Sequence, residues 1–107
     1  MPEKIISYIG FAIRARKVKL GVNAAGTAKQ GMIKLIVLCH TASENTVKEA
    51  ISIAKKHHAK IVLSKTYSVE DIVYKQNCKL VAILDKGLAK AISDNLNEHF
   101  VILEADI

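Results

Sequence analysis

Apolar positions recur at helical spacing from the start of the chain. Ile5, Ile6, Ile9, Ala12 and Ile13 form one stripe of an amphipathic helix over residues 3–16. Pro2 stands where a helix start tolerates proline, and Arg14, Arg16 and Lys17 suit the negative end of the helix dipole. Gly21 breaks the pattern. Asn23 is a good N-cap for a short helix of small residues, Ala24 to Gln30, closed by Gly31. Ile33–Cys39 is a nearly continuous apolar run with β-branched members, the mark of a strand buried on both faces. Thr41-Ala42-Ser43-Glu44 fits a capping box, and Val47, Ala50, Ile51 and Ala54 give the stripe of a third helix ending in Lys55-Lys56-His57-His58.

The second half repeats the alternation. Lys60-Ile61-Val62-Leu63 is a short buried strand, and Ser68-Val69-Glu70-Asp71 starts a short helix reaching about Lys75. Leu80–Leu84 is a further buried strand, Asp85-Lys86-Gly87 a turn, and Leu88, Ala91, Ile92 and Leu96 mark a last helix. Phe100–Leu103 adds an edge strand before an acidic tail. Helices alternating with buried strands predict an α/β fold, a three-layer α/β/α sandwich around a small mixed sheet. With 107 residues, no linker, no low-complexity stretch and no repeat, residues 1–107 make one domain.

Charge changes the picture by its location. Residues 1–40 hold Lys4, Arg14, Arg16, Lys17, Lys19, Lys29 and Lys34 against Glu3 alone, 7 − 1 = +6. Residues 41–107 hold nine lysines and nine carboxylates, so the whole net charge of +6 lies in the first 40 residues. Such asymmetry points to an anionic partner, nucleic acid above all. Only three tyrosines and two phenylalanines are present, with no tryptophan, which excludes a broad stacking wall. The apolar runs are strand-sized, so no membrane partner is expected. Met1-Pro2-Glu3-Lys4 lacks the basic-then-apolar order of a signal peptide, which predicts a cytoplasmic location. Cys39 and Cys78 make no Cys-x-x-Cys pair and read as small core or near-surface thiols.

Catalytic and metal signals are weak. Gly21-x-x-x-x-Gly26-Thr27 has a P-loop outline but lacks its lysine. His40, His57, His58 and His99 fall at no metal-binding spacing, and no Gly-x-Ser-x-Gly elbow occurs. The expectation is therefore no enzyme, no cofactor, no metal and no small-molecule substrate. Arg14–Lys34 is the stronger candidate. A glycine kink lets backbone approach a ligand closely, the free N–H groups of a helix start favour phosphate, and the flanking cations neutralise more of it. Asn23 either reads a base edge through its donor and acceptor or only caps its helix.

Ile9-Gly10-Phe11-Ala12-x-Arg14-Ala15-x-Lys17, followed by Gly21-x-Asn23, resembles the opening of the kink-turn-binding ribosomal-protein family. That family includes the archaeal ribosomal protein L-seven-Ae and the eukaryotic L-thirty-e. Lys34–Leu38 followed by Ala42–Thr46, and Val81–Lys90, resemble its small bacterial YlxQ-like branch. The resemblance covers about residues 5–95. It implies the same sandwich and non-catalytic binding of a kink-turn, a sharply bent RNA with sheared G·A pairs, with ribosomal RNA as the expected partner. Gly21 and Asn23 match the family's Gly-x-Asn-Glu-x-x-Lys signature, whereas Ala24 stands at its glutamate and Thr27 at its lysine. The stretch from Asn23 to Gly31 is one residue shorter than the family's. The resemblance places a second RNA-facing loop before the last buried strand, here Tyr74–Lys79, with Lys75 and Lys79 as its cations. The expected interface is thus a helix start at Gly21–Lys29, flanked by Arg14, Arg16, Lys17, Lys19 and Lys34, with Lys75 to Lys79 as its second lip. The rival expectation is a protein-interaction module on the same scaffold.

Overall fold

The computed structural model describes residues 3–104; Pro2 and the end of the acidic tail, residues 105–107, lie outside the described residues. The chain runs α1 (Lys4–Arg14), β1 (Val18–Leu20), α2 (Val22–Gly26), β2 (Leu35–Cys39), α3 (Glu44–His57), β3 (Lys60–Ser64), α4 (Val69–Val73), β4 (Leu80–Ile83), α5 (Lys86–Asp94) and β5 (Phe100–Ile102). The expected α/β architecture is present. One mixed sheet has the order β1-β4-β2-β3-β5. Only β2 and β3 pair in parallel; the other three pairings are antiparallel.

Every residue of β2 and β4 is buried. That is why both read as unbroken apolar runs: helices cover both faces. Strand alternation divides the core into two halves. Leu35, Val37, Val62, Val81, Ile83 and Phe100 face α1, α4 and α5, packing on Ile5, Ile9, Ile72 and Ile92. Ile36, Leu38, Ile61, Leu80 and Ala82 face α2 and α3, meeting Ala25, Ala50 and Ala54. Small residues on α2 and α3 let those helices lie close to the sheet.

Some local expectations are corrected. β1 was not foreseen: Val-Lys-Leu is too short to show a period, and pairing with β4 creates it. α2 is not Ala24–Gln30 capped by Asn23. It is Val22–Gly26, its N-cap is Gly21, and residues 27–34 are irregular. The N-cap of α3 is Ser43 rather than Thr41, with Ser43 Oγ accepting from the Thr46 N–H at 3.1 Å. Asp85-Lys86-Gly87 is not a free turn: Asp85 caps α5 by accepting from the Leu88 N–H at 2.8 Å. β2 begins at Leu35, two residues later than expected, and α4 ends at Val73 because Tyr74 takes the left-handed conformation. Cys39 and Cys78 are buried free thiols.

The sheet has two ends. At the upper end β1, β2 and β3 finish and β4 begins; at the lower end the reverse holds. Segment 27–34 carries the chain from α2 to the lower end, and His57 holds it there. His57 Nδ1 accepts from the Gly31 N–H at 3.1 Å and the Ile33 N–H at 3.3 Å. The ring proton therefore sits on Nε2, which is buried and has no partner among the described residues. His57 is the last residue of α3 and is buried. Its burial, then the nearby charges of Lys56 and Lys34, lower its pKa from the ordinary 6.5. An unfolded chain takes the proton at the ordinary value while the folded chain resists it. Stability is thus full above about 6.5 and falls as the pH drops from there through the lower folded value. Thermal melts between neutral and mildly acidic pH should show this loss. His57→Asn, which keeps an acceptor but does not titrate, should flatten it.

Candidate nucleic-acid interface

At the upper end, β1 hands the chain to α2 through Gly21. Its φ of 87° and ψ of 164° lie in a region open essentially to glycine alone. A Cβ there would meet nothing within 4 Å, so backbone conformation rather than crowding demands the glycine, and the same vacancy leaves its backbone approachable. The Gly21 N–H donates to the Leu80 carbonyl at 2.8 Å. Leu80 opens β4 directly after the Tyr74–Lys79 loop, so this bond joins the two expected lips, Gly21–Asn23 and Lys75–Lys79.

Asn23 does not cap. It lies in the first turn of α2, exposed, and its side-chain amide bonds to nothing among the described residues. It lines a shallow groove together with Val22, Gly26, Glu49 and Ser52. At five residues, α2 is too short to develop much dipole, so phosphate attraction by its N-terminus is weak. Nor does Gly21–Thr27 form a phosphate-wrapping loop. β1 does feed it, but Val22–Gly26 is helical and Thr27 Oγ1 donates to the Ala24 carbonyl at 2.9 Å.

Glu70 builds the second lip. Its Oε1 accepts from Lys79 Nζ at 2.6 Å and its Oε2 from the Asn77 N–H at 2.6 Å. Lys79 Nζ also donates to Thr41 Oγ1 at 3.0 Å, tying the loop to the β2–α3 connection. These bonds, that from Lys79 first, hold the Glu70 carboxyl below its ordinary range, and Glu70 in turn raises the Lys79 pKa. Lys79 thus has its charge matched and orders the loop. Lys75 is exposed and Tyr74 is 94% exposed, both at the tip. Tyr74 lies inside the expected loop without an assigned role, and Glu70 lies outside it, four residues before Tyr74.

The flanking cations are not gathered around this rim. Lys17 accepts at its carbonyl from the Leu84 N–H, and the Lys34 N–H donates to the Ile83 carbonyl, both at 2.8 Å. Both therefore stand at the lower end, beyond the far end of β4. Arg14 and Arg16 precede Lys17 at the same end, and Arg14 lies over the Phe11 ring at 4.9 Å from its centre. The length of β4, about 10 Å at strand rise, separates these four from Gly21. Lys19 sits midway on the edge strand, opposite Ala82 and so on the α2/α3 face. Lys29 is exposed on segment 27–34. The expectation of one basic surface around Gly21 is corrected: strand direction carries the chain away from its own cations. The structure bonds Gly21 to Leu80, next to Lys79, with Asn23 exposed on α2 and Lys75 exposed at the loop tip; Arg14, Arg16, Lys17 and Lys34 stand at the other end of the sheet.

Among the described residues no three His, Cys, Asp or Glu side chains are gathered as a metal site requires, and no helix is long and apolar enough to cross a membrane. No family model matches the chain, and no curated protein matches it. Among solved structures it is similar to a protein with unknown function from Bacillus halodurans C, at 19% identity and a TM-score of 0.71. The match covers 87% of this chain and 96% of that one. The likeness establishes the fold alone.

Gly21→Ala should cost about 1–3 kcal/mol in urea melts, since no other residue occupies that conformation without strain. Glu70→Gln should loosen the second lip, with amide exchange at Asn77 about tenfold faster or more. Wild-type protein should show the same loosening only in acid. The Glu70 contacts persist at and below the ordinary carboxylate value of 4.5 and are lost as the pH falls through the lower folded value.

Proposed function

We propose that the chain is a non-catalytic, ribosomal-protein-like RNA-binding protein of the cytoplasm, docking on structured, kink-turn-like RNA through its upper rim. The observation that supports this reading is the bond from Gly21 to Leu80, which links at the backbone two segments more than 50 residues apart. The backbone at Gly21 approaches the RNA closely. The free amide of Asn23 bonds a base edge with its donor and its acceptor. The exposed Tyr74 ring stacks on an unpaired base, a contact worth about 1–3 kcal/mol in single-stranded recognition. Lys75 meets phosphate. Lys79 presents the loop.

A second reading, a protein-interaction module on the same rim, is favoured by the matched charge of Lys79 and by Ala24 and Thr27, which supply neither of the signature's charges. Partners that survive nuclease treatment in a pull-down would support it.

The test is titration of a kink-turn RNA and an unbent duplex at two salt concentrations. Tighter binding to the kink-turn is expected. Asn23→Ala should weaken it about tenfold, or about 1.4 kcal/mol, and leave the duplex unchanged. Equal affinity for both RNAs, or an equal loss on both, would overturn the reading.

A further inference from the structure

Four neighbouring strands each present a lysine at the lower end of the sheet. Lys17 precedes β1, Lys34 precedes β2, Lys60 opens β3, and Lys86 opens α5 just beyond β4. The sheet order β1-β4-β2-β3 makes these neighbours. Backbone bonds fix the row: Leu84 to Lys17, Lys34 to Ile83, and the parallel register of Leu35 with Lys60. At the usual strand spacing of about 4.8 Å the row is about 15 Å long. All four side chains are exposed, and none is in an ion pair among the described residues. The Lys34 ammonium donates to the Gly31 carbonyl at 2.7 Å, which leaves its charge unmatched. Of the nearby carboxylates, Asp85 caps α5 and Asp94 pairs with Lys90 at 2.7 Å, while Glu104 stands exposed beside Lys60 at the outer end of the row. An open groove of about 530 Å³ lies against three of the four, bordered by Lys34, Lys60, Lys86, Lys90 and Asp94 over Leu35; Lys17 stands outside it.

We infer that this lysine row is a second binding surface, separate from the upper rim, for the phosphate backbone of a nucleic-acid duplex read without regard to sequence. A line of mutually repelling cations is relieved by a line of anions. A duplex strand carries a charge about every 3.4 Å along its axis, so the row faces about four phosphates. Lysine ammoniums are point charges suited to phosphate oxygens rather than to the planar edges of bases. Glu70 matches Lys79 at the upper end, whereas among the described residues none of these four is in an ion pair. The surface stands whether or not the upper rim binds a kink-turn, and the two together would let one chain bridge two RNA segments.

The test is fluorescence anisotropy of the full chain with a labelled, unbent RNA duplex between about 50 and 200 mM salt. The triple variant Lys34→Gln, Lys60→Gln, Lys86→Gln is compared with a charge-matched control, Lys4→Gln, Lys48→Gln, Lys65→Gln. Circular dichroism confirms that both remain folded. The row variant should lose at least about tenfold in affinity at low salt, and its slope of log K against log salt should shrink by about 2 to 3. The control should stay near wild type. Equal losses in the two variants, which would mean net charge alone, overturn the inference. So does a row variant that binds like wild type, or row-dependent binding to phosphatidylserine vesicles with no row dependence on RNA. Because only an unbent duplex is used, this outcome is independent of the kink-turn comparison.

Discussion

Leu80–Ile83 is buried on every side chain, and a strand so placed has no water to satisfy its peptide groups. It must therefore bond to a neighbour on both edges, and it does so with β1 and β2, antiparallel to each. The ladder extends past the strand at both ends. The Leu80 carbonyl takes the Gly21 N–H above, while Ile83 and Leu84 hold Lys34 and Lys17 below. Four apolar residues thus position the two polar surfaces of the molecule. Hydrophobic burial selects the strand, and the obligation to pair its backbone then fixes what stands beyond its ends.

That constraint also decides the electrostatics. The chain's excess positive charge is continuous in sequence, in residues 1–40, and was expected to be continuous in space. β1 defeats this. It takes Lys17 and Gly21, four positions apart, to opposite ends of the sheet. Lys60 and Lys86, from the half of the chain with no net charge, then complete the lower row. A sum over a segment says nothing about a surface until strand direction is known.

The buried strands were legible because burial on two faces leaves a composition signal that needs no partner to interpret. β2, β3 and β4 all had it, and with them came the helices on alternate sides. β1 left no such trace, since Lys19 at an edge breaks the run and three residues show no period. α2 was misplaced because Asn23 is a good cap by type, whereas Gly21 occupies the cap position by conformation. Of the site, Gly21 and Asn23 were legible from local chemistry. That Lys79 is neutralised was not, because Glu70 reaches it only once α4 and β4 are folded together. His57 had the same difficulty: nothing in Lys55-Lys56-His57-His58 says that one ring turns inward to receive two backbone N–H groups.

The lysines of this protein divide by what they meet. Lys79 meets a carboxylate held by its own loop; the pair is local, its geometry is fixed by the Asn77 N–H on the same carboxylate, and its effect is order. Among the described residues Lys17, Lys34, Lys60 and Lys86 are in no ion pair, and strand pairing holds the backbones of Lys17, Lys34 and Lys60 in line. Their repulsion is a standing cost of the fold, modest in water because solvent screens it. A protein under selection for stability alone has cheap remedies for such a row, since any of the four could become neutral without touching the core. The apolar sheet end packs without these charges, and a line of phosphates laid along them would remove the cost.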